Sequence, residues 1–349
     1  MRWAKADTVI VGGGLAGALT MHFLRKAGIN PYWIDAGKPF NATNAGAGIM
    51  NPITGRKFVY SWRFEDFHEV AMQTYKELEL LTGLTILHKL EIWKSLHAPG
   101  DENNWCIRQS QSPYHIYMHE PIDAASVPII KEGFKLGRID PVYRVDFKAV
   151  VQAIVQLWGC PDPAEMLPNR RMKIDGVCHD LSDDVRLVLA TGAFSTELVS
   201  PLLPLQSLKG EALLIHSADL PEDVILHHHI NVVPLGAYQF WVGPADTRHH
   251  TEDGPSVWAR NHLETTLSRY FDIRYEVIDV YAGVRPSTLV RRPIVGSVPH
   301  GTNTWVINGL GTKGASIGPL AAQILAKDLS TGIHPEPMLR WPWSGCKIT

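Results

Sequence analysis

The run Asp7-Thr8-Val9-Ile10-Val11-Gly12-Gly13-Gly14-Leu15-Ala16-Gly17 constrains this chain more than any other segment. Apolar and β-branched residues lead into glycines at a GxGxxG spacing. Leu19, Phe23 and Leu24 then recur at helical intervals, and Tyr32-Trp33-Ile34-Asp35 reads as a second strand ending in an acid. A βαβ unit that holds a dinucleotide needs each of these parts. Gly12 permits the tight turn off the strand, Gly14 lets the backbone approach a pyrophosphate, and Gly17 lets the helix pack against the sheet. The helix N-terminus at Leu15 and Ala16 offers unpaired N–H groups and the positive end of a dipole to the phosphates. Gly28 supplies the stop, because glycine takes the left-handed conformation that ends a helix. Asp35 lies 18 residues beyond Gly17, where a carboxylate accepts the ribose hydroxyls of an adenosine and disfavours a 2′-phosphate.

A chain of 349 residues exceeds what one ordinary core uses, so two lobes are expected. A formal net charge of −2 argues against a general polyanion binder. Cys106, Cys160, Cys178 and Cys346 form no CxxC pair, which fits free thiols in a reducing compartment. Arg2 and Lys5 ahead of an apolar run superficially resemble a signal peptide, but the nucleotide turn explains the glycines better. No apolar run approaches the roughly 20 residues that span a bilayer. A cytoplasmic enzyme is the expectation.

After the second strand comes a small-residue loop, Asn41-Ala42-Thr43-Asn44-Ala45-Gly46-Ala47-Gly48-Ile49-Met50-Asn51-Pro52, suited to bringing backbone N–H groups near something flat or anionic. Apolar spacing predicts a helix from Phe64 to Leu81, and Asp146 is placed to cap another through Leu157. Residues 84 to 135 give no legible function. Val185 to Ala190 reads as a strand running into Thr191-Gly192-Ala193-Phe194-Ser195. Strand-like runs at 212–215, 230–233 and 238–242 suggest an antiparallel sheet in a second lobe, followed by a helix from Pro255 to Phe271. The end returns to a strand, Trp305-Val306-Ile307, a glycine turn, Gly309 to Gly314, and a helix. The lobes therefore interleave. His227-His228-His229 on a strand would put only His227 and His229 on one side, and with no acid or cysteine at ligand spacing no metal is expected.

Four signatures in this order resemble the D-amino-acid oxidase, glycine oxidase and sarcosine oxidase superfamily of FAD-dependent amine oxidoreductases. They are the N-terminal fingerprint ending in Asp35, the loop Thr43 to Ile49, the motif Leu189 to Ser195, and a C-terminal pair. That pair is Ala282-Gly283-Val284-Arg285-Pro286 with Arg292-Pro293-Ile294-Val295-Gly296, then the glycine turn from Asn308 to Gly318. The resemblance implies an α/β fold: a Rossmann-like FAD-binding domain of the glutathione-reductase type, interleaved with a smaller α+β substrate domain on an antiparallel or mixed sheet. The expected boundaries are 1–58, 136–210 and 278–349 for the first, and 59–135 and 211–277 for the second.

The resemblance also assigns roles. Gly12, Gly14, Leu15, Ala16 and Gly17 meet the pyrophosphate and Asp35 the ribose. Ala47, Gly48 and Ile49 run along the isoalloxazine; Thr43, Asn44, Thr191, Gly192, Gly283 and Arg285 complete the cofactor set. Gly311, Thr312, Lys313 and Gly314 face the pyrimidine edge at a helix start, where a helix dipole stabilises negative charge. Arg285 matches the family arginine that grips a substrate carboxylate, a task suited to a planar bidentate guanidinium. Lys313 aligns with a lysine that helps hold that carboxylate, and Arg56 and Lys57 are further candidates. Tyr238 and Tyr281 are the expected pocket tyrosines.

The implied reaction oxidises the C–N bond of a small amino acid or a secondary amine carrying a carboxylate, by hydride transfer from Cα to flavin N5. Two departures matter. The substrate-lobe run Phe240-Trp241-Val242 lacks the lysine with which monomeric sarcosine oxidases activate oxygen, so either O2 or another acceptor is open. No cysteine lies between Cys178 and Cys346, where that branch attaches its flavin, so non-covalent FAD is expected. Two alternatives stand beside this reading. One is the related flavin domain that removes a carboxymethyl group from modified wobble uridine in tRNA, which the charge balance disfavours. The other is a protein that binds FAD without turning over an amine.

Overall fold

The computed structural model describes residues 6–195, 205–248, 252, 254–298 and 303–333. Thr8–Val11 forms the centre of a six-stranded sheet and is buried along its whole length. It pairs in parallel with Tyr32–Asp35 on one side and Arg186–Leu189 on the other. Thr304–Asn308 extends the parallel set, Asp162–Pro163 closes one edge, and the antiparallel strand Ile294–Ser297 closes the other. A strand covered on both faces must be apolar on both, which explains the unbroken Thr8 to Val11 run. One face carries the helices Leu15–Lys26, Phe147–Trp158 and Gly314–Thr331, with Phe64–Thr82 packed into the same core. The other face is covered by a three-stranded antiparallel sheet over residues 165–180, whose Met166 and Met172 pack onto Val9 and Ile34.

The larger sheet has nine strands. Its path runs Glu276–Thr288, Leu205–His216, Gln239–Thr247, Ile230–Gly236, Val224–His228, Leu87–Leu96, Lys135–Val145 and Ile49–Met50. Met118–Asp123 pairs with Lys135–Val145 off this path. Neighbours are antiparallel except Val224–His228 and Leu87–Leu96, so the sheet is mixed, as expected for the second lobe. The helix Val257–Tyr270, capped by Ser256, buries Ala259, Leu263 and Leu267 against one face of it.

The expected elements appear where the spacing placed them. The helix Phe64–Thr82 buries Tyr75 completely, and the Tyr75 hydroxyl donates to the Ala315 carbonyl at 2.7 Å, tying this helix to the last one. Asp146 caps Phe147–Trp158 by accepting from the Ala149 N–H at 3.0 Å. The illegible stretch contains the strand Leu87–Leu96 and the helix Pro99–Gln109. Lys135–Val145 and Glu276–Thr288 hydrogen-bond within the larger sheet, and Phe64–Thr82 packs with the helices of the smaller one. Among the described residues no helix is long and apolar enough to cross a membrane.

Candidate functional site

The strand Thr8–Val11 ends at Gly12, whose φ of +117° aims the chain into the helix Leu15–Lys26. A Cβ at Gly12 would lie 2.4 Å from the Ala190 carbonyl oxygen, and one at Gly17 only 1.8 Å from the Gly12 carbonyl oxygen. Gly17 therefore serves helix packing and is absent from the wall of the cavity that opens here, whereas Gly12 and Gly14 line it. The Asp35 carboxylate accepts the Gly13 N–H at 2.8 Å and the Gly37 N–H at 3.1 Å, which holds it at the cavity edge. The Thr43 hydroxyl accepts the Leu15 N–H at 3.0 Å. The N–H groups of Gly14 and Ala16 find no acceptor among the described residues, and both residues line the cavity. An uncapped helix start lined by bare N–H groups and small residues is an anion cradle.

That cavity encloses about 830 Å³ and runs from the cradle toward the larger sheet. Its far wall is the small-residue loop. Gly48, at φ +71°, backs onto Val145, where a Cβ would lie 2.0 Å from the carbonyl oxygen. The Gly48 carbonyl accepts the Val145 N–H at 2.9 Å, and the Trp241 indole donates to the Ala45 carbonyl at 2.9 Å, so two strands of the larger sheet grip the loop. Leu15, Ala16, Thr43, Asn44, Ala47, Gly48, Ile49, Thr191, Gly192, Gly311, Thr312 and Gly314 all line this cavity. Gly283 does not: it packs against Asn41, Ala42 and Ala45, letting the loop sit close to its strand. The last helix begins at Gly314 with no side-chain cap, so its N-terminus also opens here.

A second cavity of about 1490 Å³ adjoins the first, sharing Ile49, Asn231, Leu310, Gly311 and Thr312 in its lining. Lys313 lines this one and not the first. Its ammonium donates to the Ser61 hydroxyl at 3.2 Å, and burial, with the nearby Arg291, pushes its pKa down. Arg285 lines the first cavity with most of its side chain covered. Its Nη1 donates to Asp246 Oδ1 at 2.7 Å, so this guanidinium already has a carboxylate partner. Arg56 lines the second cavity; Lys57 lines neither.

The two tyrosines are corrections. Tyr238 sits in a hairpin turn at φ +57°, half exposed, its N–H bonded to Glu222, and it lines neither cavity. The turn residue Gly236 and the positive φ values at 237 and 238 keep Tyr238 in the turn, so the next strand begins at Gln239. Tyr281 lies under Lys148 on its strand, packed against the core of the larger sheet and outside both cavities.

The second cavity holds polar groups that sequence reasoning missed. Lys94 pairs across strands with His227, and the His227 ring nitrogen Nδ1 bonds Asn231 Oδ1 at 2.7 Å. Burial pushes Lys94 down to about 8 and His227 down to about 3. The available signal was Lys94 itself, a lone cation between Ile92 and Leu96 on an otherwise apolar strand face. His227 and His229 both line the cavity, while His228 is buried against Tyr270 and Phe271. Among the described residues no cluster of ligating side chains is placed to hold a metal ion.

Residues 7–327 match the family model described as FAD dependent oxidoreductase (DAO). The chain is 23% identical to a glycine oxidase of Pseudomonas aeruginosa, with 94% of this chain and 95% of that protein covered. Its fold is that of glycine oxidase from Bacillus cereus, at a TM-score of 0.79 and 16% identity over 96% of this chain and 97% of that one. It is likewise that of an iminodiacetate oxidase from a Chelativorans species, at a TM-score of 0.75 and 19% identity over 95% and 97% of the two chains.

Proposed function

Starting from a chain that belongs to the FAD-dependent oxidoreductase (DAO) family, we propose that it oxidises the C–N bond of a small amino acid or secondary amine carrying a carboxylate. The observation that carries this reading is the joining of two cavities of different character. One is a glycine-walled cradle with bare helix N-termini, and the other is a roomy chamber bearing cations, meeting at Ile49, Asn231 and Gly311. FAD fits the first on the structure's own terms. The cradle lies where a Cβ at Gly14 would crowd Thr43, its N–H groups at Gly14 and Ala16 suit a pyrophosphate, and Asp35 stands at the ribose end.

FAD, when bound, supplies the two-electron acceptor for the hydride that leaves Cα. The chain's own residues position and polarise. Arg285 in the cofactor cavity and Lys313 in the chamber carry the charge a substrate carboxylate needs. The last helix, starting at Gly314, presents its positive end to the cofactor cavity. No acid–base residue is obligatory when the amine binds neutral. Non-covalent attachment is supported by the thiols: Cys106, Cys160 and Cys178 are exposed and line neither cavity. Cys346 lies outside the described residues. The test is product analysis of the flavin-loaded protein with glycine, sarcosine and proline, in air and again with a redox dye as electron acceptor, trapping the 2-oxo acid or aldehyde that imine hydrolysis releases. Absence of any carbonyl product from the flavin-loaded protein would remove the reading.

A further inference from the structure

The second cavity is larger and more cationic than a monocarboxylate amine requires. Ligand cavities of roughly 300–1,000 Å³ accept whole drug-sized molecules, and this one encloses about 1490 Å³. Arg56, Lys94, Arg248, Arg291 and Lys313 line it. Its carboxylates are Asp246, already bonded to Arg285, and Asp101, which accepts the His97 N–H at 3.0 Å. Among the described residues no carboxylate forms an ion pair with Arg56, Arg248, Arg291 or Lys313. A lining with cations in such excess, in a chain whose net charge is −2, is a local anion trap.

The cations are also spread through the chamber. Lys313 stands at the junction with the cofactor cavity, beside Gly311 and Thr312. Lys94 lies two strands away from Asn231, through His227, which at ordinary strand spacing is roughly 10 Å. Arg56, Arg248 and Arg291 are exposed in the same lining. A carboxylate adjacent to the reacting carbon satisfies the cations at the junction and leaves those further out without a counter-charge.

We infer that this chamber selects amines bearing a second anionic group, a carboxylate or a phosphate, on the arm of the nitrogen that points away from the cofactor cavity. The inference rests on the amine-oxidation reading for its chemistry, but the anion site itself stands on the cavity. Lys94 and Arg56, which both lie close to His97, recognise the second anion, and Lys313 with Arg285 holds the first. An RNA is the less favoured occupant, since the chain offers no overall positive field to hold a polyanion.

The experiment uses the full-length flavin-loaded protein and two readouts. Anaerobic flavin reduction is compared for sarcosine, iminodiacetate, N-(carboxymethyl)aspartate and N-(2-phosphoethyl)glycine. Thermal stabilisation is compared for the unreactive anions acetate, glutarate and glycerol 2-phosphate. The inference expects the doubly anionic amines to be preferred over sarcosine at least tenfold in kcat/KM, the carboxylate and phosphate arms showing which anion fits. It expects that ratio to fall at least tenfold in Lys94→Met and in Arg56→Gln, and glutarate or glycerol 2-phosphate to stabilise where acetate does not. If no amine reduces the flavin but the dianions still stabilise and Lys94→Met abolishes the effect, the anion site holds and the oxidation reading falls. Sarcosine equal to the dianionic amines, or a preference untouched by both substitutions, overturns the inference. So does displacement of glutarate by bulk tRNA at matched salt, which would assign these cations to a nucleic acid.

Discussion

Arg285 and Asp246 face each other across the larger sheet, joined through Nη1 and Oδ1 at 2.7 Å, with the guanidinium lying over Gly210 where a Cβ would come within 2.1 Å of it. The pair makes Asp246 a competitor for the substrate carboxylate. Asp246→Asn is expected to tighten binding of a carboxylated amine about three- to tenfold, because the guanidinium fork regains a charged hydrogen bond to offer. Arg285→Ala is expected to lose about 100-fold or more in flavin reduction while keeping the yellow colour. Stopped-flow reduction of the two variants separates these effects. Asp246→Asn as damaging as Arg285→Ala would mean that Asp246 positions the arginine and does not compete with substrate.

The two glycine positions of the cradle should fail differently. Gly48→Ala places a Cβ 2.0 Å from the Val145 carbonyl oxygen at a φ of +71°, so loss of folded protein is expected. At Gly14 a Cβ meets Thr43 Oγ1 at 3.0 Å and nothing else within reach. Gly14→Ala should therefore keep a near-normal melting temperature while weakening FAD about tenfold or more. Melting curves of the apoprotein and FAD titration read the two quantities independently.

What the sequence disclosed divides along physical lines. The cradle was legible because each of its demands falls on one residue type at fixed spacing: Gly12 for the turn, Gly14 for approach, Asp35 at the strand end. The loop from Thr43 to Ile49 and the turn at Gly311 were legible for the same reason. Lys94, His227 and Asn231 were not, because they meet only when the strand Leu87–Leu96 pairs laterally with a hairpin distant in sequence. Tyr238 misled because the aromatic run begins one residue inside the turn, before the strand Gln239–Thr247 starts. Arg285 was found, but its pairing with Asp246 depends on both strands flanking Leu205–His216, a relationship no local pattern carries.

A buried ion pair offers a stability test away from the site. Lys209 Nζ lies 3.0 Å from Glu211 Oε1, both side chains almost fully covered, and Glu211 also accepts the Ser256 N–H and hydroxyl at the start of the helix Val257–Tyr270. Glu211→Ala strands a buried ammonium and is expected to cost about 3–5 kcal/mol. The double variant Lys209→Met with Glu211→Leu should cost clearly less, as measured by urea unfolding. Equal losses would show that the Ser256 bonds, and not the charge pairing, dominate.

Acid should destabilise the protein through its buried imidazoles. Burial, with the neighbouring Lys94, holds His227 down at about 3 against the Asn231 bond that raises it, and burial holds His22 down at about 4. Below about 6.5 the unfolded chain binds protons that these folded rings refuse, so stability falls as pH drops from about 6.5 toward these values. The slope is at most about 1.4 kcal/mol per pH unit for each group. His227→Gln should flatten the dependence of the urea midpoint between pH 7 and 4.5; an unchanged slope would show that the ring is already protonated in the folded protein.

The most direct measurement is an anaerobic titration of the flavin-loaded protein with carboxylated amines, glycine, sarcosine, proline and iminodiacetate in turn. The account predicts that at least one bleaches the oxidised flavin spectrum, and that Arg285→Ala suppresses this. An oxidised spectrum left intact by every amine, in protein whose flavin dithionite reduces at once, would contradict it.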